Sequence, residues 1–392
     1  MDVKNSSLPI SPELLKYCYN SSITKMESKV NIVFWVEGVI LGIVAVLGII
    51  GNILTIIVLA RISLNNVFNQ LILALCVTDC FFNVFSLIEY SAKKAFGFIS
   101  YDTPIYKDLW PKFIYPLHNI TFTCSLFITL SVAIERYIAV CHPFLIHHRF
   151  QNSQRSVKKR TCQYLLPTIL GSILVNVPKF FEFKVKEVSV PEYSKSIFPT
   201  NLRLSNMYQV YYINWTRAFF TAFIPFILLI LLNGKIVNQI KKADKFISES
   251  TNSQKSETKL ARILVLLVFS FLICNLGKVV LNIYDIHMLG TIEACSQAQL
   301  TFKSPFWVVI MISVNHLLFV MNSSTNLILF SVIGTQFKMT LLTILRLRSV
   351  PKQTIRKNYV LNDNPHVKTH FDKNSFKSTY NHSVRTTNID LC

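Results

Sequence analysis

A chain of 392 residues, 51% of them hydrophobic, is long enough to be either a large soluble domain or a polytopic membrane protein. The apolar residues fall into long runs, which excludes the soluble alternative. The 40 lysines and arginines exceed the 20 acidic residues for a formal net charge of +20, but much of this excess lies between the runs and in the tail, where anionic lipid headgroups are the expected partner and nucleic acid is not.

In chain order, residues 1–31 read as an extracellular segment with nearly balanced charge, and the sequons Asn5-Ser-Ser and Asn20-Ser-Ser make Asn5 and Asn20 candidate glycosylation sites. No basic stretch with a short apolar core precedes the first run, so no cleaved signal peptide is expected. The runs cover Ile32 to Ala60, Val67 to Tyr90, Phe113 to Val140, Leu165 to Phe181, Tyr211 to Val237, Leu260 to Ile283 and Phe306 to Ile333, most of them reaching the ~20 residues of a bilayer crossing. They predict an all-α bundle of seven transmembrane helices over residues 32–333. Residues 334–347, with Phe337, Leu341, Leu342 and Leu345, predict a short amphipathic helix on the membrane surface, and residues 348–392 a polar, disordered tail.

Basic residues in short loops set the orientation. Arg149, Arg155, Lys158, Lys159 and Arg160 lie between runs three and four, and Lys241, Lys242, Lys245, Lys255 and Lys259 between runs five and six. That side is cytoplasmic, which puts the N-terminus outside a plasma membrane and the C-terminus inside. The outer loop after run four weakens the bias, because Lys179, Lys184, Lys186, Lys195 and Arg203 outnumber Glu182, Glu187 and Glu192. Of nine cysteines only Cys18 and Cys295 fall on the outer side, so one external disulfide is available, between the N-terminal segment and the third outer loop. Two free or intermolecular thiols are the alternative.

At the cytoplasmic end of run three stand Glu135, Arg136 and Tyr137, followed by Val140-Cys-His-Pro143. A guanidinium at a membrane boundary is costly unless paired, and the neighbouring Glu135 supplies a carboxylate. With seven runs, this triplet resembles the rhodopsin-like class of G-protein-coupled receptors. The resemblance implies that Arg136 is released on activation to meet a heterotrimeric G protein. It also implies a buried sodium ion held by Asp79, Ser125, Asn322, Ser323 and Asn326, near Asn52. Hydroxyl, amide and carboxylate oxygens suit a hard cation, although each residue taken singly is also ordinary interhelical glue. No other cofactor is implied. In place of the usual Asn-Pro-x-x-Tyr the chain has Asn326-Leu-Ile-Leu-Phe330, and in place of Cys-Trp-x-Pro it has Cys274-Asn-Leu-Gly277. The class's usual disulfide to run three is absent, since that position reads Pro111 and the loop from Phe183 to Val210 has no cysteine.

Asn322-Ser-Ser-Thr-Asn326, Pro178-Lys-Phe-Phe-Glu182, Pro199-Thr-Asn-Leu-Arg203, the series Tyr208, Tyr212, Trp215, and Asn275 with Lys278 resemble the FMRFamide-type neuropeptide receptors of invertebrates. Other ligand classes are excluded by residue type. Between Lys303 and Lys338 no lysine is available for a retinal Schiff base, and His118 replaces the aspartate that aminergic receptors carry in run three. An amidated peptide ending in arginine and phenylalanine would meet carboxylates and rings, from Glu89, Glu182, Asp285, His118, Tyr212 and Trp215. Glu89 is the first candidate for the guanidinium, with an internal pair to Lys278 as its equal alternative. Asp285 also reads as a solvated helix end, and His118 as a hydrogen-bonded core histidine. Ser375, Ser378, Thr379, Ser383, Thr386 and Thr387 are candidate sites for a receptor kinase and arrestin. A chemosensory receptor for a small molecule shares the fold and remains an alternative, with a transporter or channel more remote. No P-loop or paired catalytic carboxylates point to an enzyme.

Overall fold

The computed structural model describes residues 18–19, 31–62, 66–96, 103–142, 154–190, 193–245, 276–288, 290–291, 294–295, 301–302, 304–333 and 335–346. One compact unit comprises Met1–Leu341; of the second, Leu342–Cys392, only residues 342–346 are described. The sequons at Asn5 and Asn20, Cys274, Asn275, Gly334 and the tail hydroxyls lie outside the described residues.

Six described helices are long and apolar enough to cross a membrane: α1 (Asn31–Arg61), α2 (Val67–Ser91), α3 (Pro104–Cys141), α4 (Arg155–Phe181), α5 (Tyr208–Gln239) and, after the sixth run, α7 (Phe306–Ile328). The sixth run is described as helix α6 over 276–288, and its inner part lies outside the described residues. A further helix, α8 (Thr335–Ile344), follows α7. Large apolar side chains such as Leu47 (62% exposed) and Leu174 (70%) point away from the bundle, as they must where hydrocarbon replaces water.

Two helices, α3 and α4, begin well before their apolar runs. α3 starts at Pro104, not Phe113, because Thr103 is extended, Pro104 needs no helical N–H donor, and a wide turn over Trp110–Ile114 accommodates Pro111. α4 starts at Arg155 instead of Leu165, so the basic segment before the run is helical and its Arg160 is buried. Apolar content marks the bilayer, not the ends of the helix that crosses it.

α3 packs against α2, α4 and α5, and α1 packs against α2 and α7. Small residues permit the close contacts. A Cβ on Gly48 of α1 would collide with Ser324 Oγ of α7 and come within 2.7 Å of Asn83 Nδ2 of α2. Gly48→Ala is therefore expected to destabilise the protein by about 1–3 kcal/mol, read as a lower midpoint of thermal unfolding in detergent. The outer core joins Leu41 and Ala45 of α1, Phe82 of α2 and Val320 of α7, with Phe122 and Phe319 packed against them.

α7 bends without proline. Its helix is interrupted at Thr325 between Phe306–Ser324 and Asn326–Ile333. Around the break, Ser324 Oγ donates to Val320 O (2.6 Å) and Thr325 Oγ1 donates to Asn322 O (3.0 Å), with Ser323 Oγ also 3.0 Å from Val320 O, hydroxyl contacts that compete with the helix's own backbone.

Between α4 and α5 the chain forms an antiparallel hairpin, β1 (Phe183–Val190) with β2 (Tyr193–Pro199), pairing Phe183 with Pro199 and Val185 with Ile197. Its alternation places Lys184 and Lys186 outward and Phe183 and Val185 half-buried. At the N-terminal side, Cys18–Tyr19 pairs antiparallel with Thr301–Phe302, and Cys18 is disulfide-bonded to Cys295 with the Cα atoms 5.7 Å apart.

Candidate functional site

Three polar groups occupy the bundle at different depths. In the middle, Asp79 on α2 is 2% exposed; Ser125 Oγ of α3 donates to its Oδ1 (2.6 Å) and Asn326 Nδ2 of the helix after the bend donates to its Oδ2 (2.7 Å). Asn326 Nδ2 also reaches Asn52 Oδ1 (3.2 Å), and Asn52 Nδ2 donates to Ser323 O (2.8 Å), which ties α1, α2, α3 and α7 at one level. Two expected members stand off: Ser323 Oγ donates to Asn83 Oδ1 (2.6 Å), and the contact of Asn322 is its backbone carbonyl, taken by Thr325. Asn83, one helical turn from Asp79 on the same face, is the member that sequence reasoning missed. Each Asp79 oxygen accepts one described bond and retains acceptor capacity, and the Ser125 hydroxyl adds a hard oxygen, so these residues fit a small hard cation once the Asn326 amide, which presents Nδ2 to Asp79, turns its oxygen inward.

Toward the outside, Glu182, just past α4, is fully buried and gathers four donors. Lys179 Nζ lies 2.6 Å from Oε1, Tyr208 OH 2.8 Å from Oε1, Tyr115 OH 2.8 Å from Oε2 and Arg203 Nη1 3.4 Å from Oε2. Burial opposes its charge, but Lys179, Arg203 and the hydrogen bonds outweigh burial and hold the carboxyl below its ordinary value of 4.5. Lys179 is itself 0% exposed and also donates to Tyr115 OH (2.9 Å). Lys195 Nζ reaches Asp108 Oδ2 at 2.5 Å. Three of the loop cations that blurred the orientation signal, Lys179, Lys195 and Arg203, thus have acidic partners on their own side.

Glu89 accepts from Trp110 Nε1 at 2.5 Å. The expected alternative pair with Lys278 does not form, because Lys278 Nζ donates to Thr221 Oγ1 (2.8 Å) and lies 4.5 Å from the Phe122 ring centre. His118 is 9% exposed, 3.1 Å from Ser86 Oγ and stacked on Phe82, a satisfied core histidine in contact with the edge of Tyr90. Tyr212 OH donates to Val175 O (2.5 Å) and its ring stacks on Tyr208, whereas Trp215 is 51% exposed on the outer side of α5. Asp285 on α6 is half-buried with no ion-pair or hydrogen-bond partner among the described residues. Sequence reasoning also missed Glu37 of α1, 2% exposed and 3.0 Å from His316 Nδ1 of α7, whose ring stacks on Tyr90.

At the inner end the expected pairing is corrected. Glu135 accepts from Arg160 Nη2 of α4 at 2.7 Å, while the guanidinium of Arg136 lies 3.5 Å over the ring of Phe68 on α2. Neighbouring residues on a helix point 100° apart, so Glu135 faces α4 when Arg136 faces α2. Tyr137 OH lies 3.3 Å from His142 Nε2, and Phe330 is buried against Phe337 of α8.

The family model for the seven transmembrane receptor (rhodopsin family) matches residues 51–329. The chain is 30% identical over 322 residues to the FMRFamide receptor of Drosophila melanogaster, covering 80% of this chain and 54% of that protein. It is 24% identical to the FMRFamide peptide receptor frpr-18 of Caenorhabditis elegans over 60% of this chain and 51% of that one, and 25% identical to the probable G-protein coupled receptor frpr-1 of the same organism over 87% and 88%. The chain spans about half the length of the first two. The match runs from α1 through the helix after the bend in α7, and with it this multi-pass membrane protein belongs to the rhodopsin family of seven-transmembrane receptors, a family of receptors rather than of enzymes.

Proposed function

We propose that the chain is a receptor for an extracellular neuropeptide of the amidated arginine-phenylalanine type, oriented with its N-terminus outside, and that it promotes nucleotide exchange on a heterotrimeric G protein. The observation that carries this reading is the 30% identity to an FMRFamide receptor across 80% of the chain. The outer pocket chemistry supports it. Glu182 and Glu89 are engaged by internal donors, which makes Asp285, unpartnered among the described residues, the first candidate for the ligand guanidinium. A cell-based G-protein dissociation assay tests the reading with amidated arginine-phenylalanine peptides, their free acids and Arg136→Ala as control. A response to the peptides that Arg136→Ala loses supports the reading, and silence of a receptor present at the surface overturns it in favour of a small-molecule stimulus. Receptor kinase and arrestin binding to the tail belong to the same proposal.

Asp285→Asn is expected to weaken an arginine peptide about tenfold and an analogue with neutral citrulline hardly at all; equal losses would remove Asp285 from the site. Asp79, Ser125 and Asn326 are the residues that would hold a sodium ion, which would supply a counter-charge for the buried carboxylate. Raising sodium is expected to lower agonist affinity in the unaltered receptor and to have no effect in Asp79→Asn. A sodium response that survives the substitution would place the ion elsewhere.

A further inference from the structure

Two cations in the outer half of the bundle have no acidic partner among the described residues. Arg217 on α5 donates Nη2 to Asn119 Oδ1 of α3 (3.2 Å), a neutral amide at the long end of hydrogen bonding, and its buried Nε has no partner. Lys278 on α6 has only the Thr221 hydroxyl and the faces of Phe122 and Phe319. Thr221 in turn donates to the backbone carbonyl of Arg217 (2.7 Å), one turn away on α5, and Phe122, beside Lys278, lies one turn from Asn119 on α3, so Lys278 is held against the same turns of α5 and α3 that carry Arg217 and its amide partner. Two like charges held together inside an apolar bundle are costly unless an anion joins them. Two other buried cations do have acidic partners: Lys179 has Glu182 and Arg160 has Glu135.

The geometry points to an anion subsite in the ligand pocket, formed by Arg217 and Lys278 with Thr221 and Asn119, that takes a carboxylate of the bound peptide. Lys278 lies seven residues from Asp285 along α6, two helical turns or about 10 Å deeper. The pocket thus offers a carboxylate above and paired cations below, complementary to a peptide with an arginine and, within that distance, an acidic group. The carboxylate has two sources, an aspartate or glutamate side chain or a free C-terminus. This assignment rests on the peptide-receptor reading and is independent of the amidation part of it.

The test uses the full-length receptor in membranes, with peptide displacement and G-protein dissociation normalised to surface number. The probes are Phe-Met-Arg-Phe as amide and as free acid, and the same amide extended at its N-terminus by aspartate or by asparagine. At least one acidic member is expected to bind about tenfold or more tightly than its neutral counterpart. The pair that shows the difference identifies the source. Lys278→Gln and Arg217→Gln are expected to erase that preference with little loss for the neutral peptide, and Lys278→Arg to retain it. Equal affinity of acidic and neutral peptides for the unaltered receptor, or a preference that survives in both glutamine variants, overturns the subsite and leaves the peptide reading standing. Silence of every probe overturns both.

Discussion

Receptors carrying Glu182→Ala are expected to lose about 3–5 kcal/mol of stability and most of their surface population. The substitution strands Lys179, which is 0% exposed, with no carboxylate beside it, and removes the shared acceptor of Tyr115, Tyr208 and Arg203. It also loosens the junction of α3, α4 and α5, since Tyr115, Lys179 and Tyr208 reach the one carboxylate from those three helices, while the backbone bond from the Thr200 N–H to the Glu182 carbonyl (2.9 Å) is kept. Removing both charges together should recover much of the loss, because the penalty comes from the unpaired ion. Surface immunoassay and thermal inactivation of Glu182→Ala, against Lys179→Met with Glu182→Leu, provide the check; a single variant as stable as the parent would show the cluster to be dispensable. The carboxyl is held below its ordinary 4.5, so its contribution is complete above that pH and is lost as pH falls through the depressed value. Mild acidification of the outer face should therefore leave this cluster intact.

Arg136→Ala is expected to reduce agonist-driven G-protein dissociation to background while peptide affinity is largely kept, because the residue lies at the inner end of α3, far along the helix from the pocket. Glu135→Gln has a different expected outcome from a simple release of Arg136. Its carboxylate is bonded to Arg160, 10% exposed at the side chain, so neutralising it leaves a nearly buried guanidinium on α4 and costs about 3–5 kcal/mol. Thermal inactivation and basal signalling separate the two: lowered stability with unchanged basal activity follows from the α3–α4 pair, and raised basal activity at full stability would mean that Glu135 restrains Arg136 after all.

What was legible in the sequence was whatever the bilayer makes expensive. Seven apolar runs, the carboxylate of Asp79 deep within the second and the charged triplet ending α3 all violate or satisfy a simple solvation rule, and they located the bundle and the polar group at Asp79. Partners were harder to read, because an ion pair depends on which way helices face. Arg160 looked like one more cytoplasmic charge until α4 extended ten residues below its apolar run and turned it onto Glu135. Lys179 looked like an outer-loop lysine, and its burial depends on the turn over Val177–Phe181 that folds it back on Glu182. Glu37 and His316 are 279 positions apart, and no local pattern joins them. Arg217 and Asn83 did carry a signal: a charge inside an apolar run, and an amide one turn from a buried carboxylate. The hairpin was hidden by its lysines, which alternate with Phe183 and Val185 on the opposite face.

The bend in α7 differs in kind from one made by proline. A proline removes an N–H for good, so the gap in the helix ladder is permanent. Here each backbone donor is still present, and the interruption is maintained by the hydroxyls of Ser323, Ser324 and Thr325. Ser324 Oγ is also shared with Val44 O of α1 at 3.2 Å, so the joint is held against the neighbouring helix by the same hydroxyl that interrupts it. The joint is thus reversible in its chemistry, with its stiffness set by side-chain torsions.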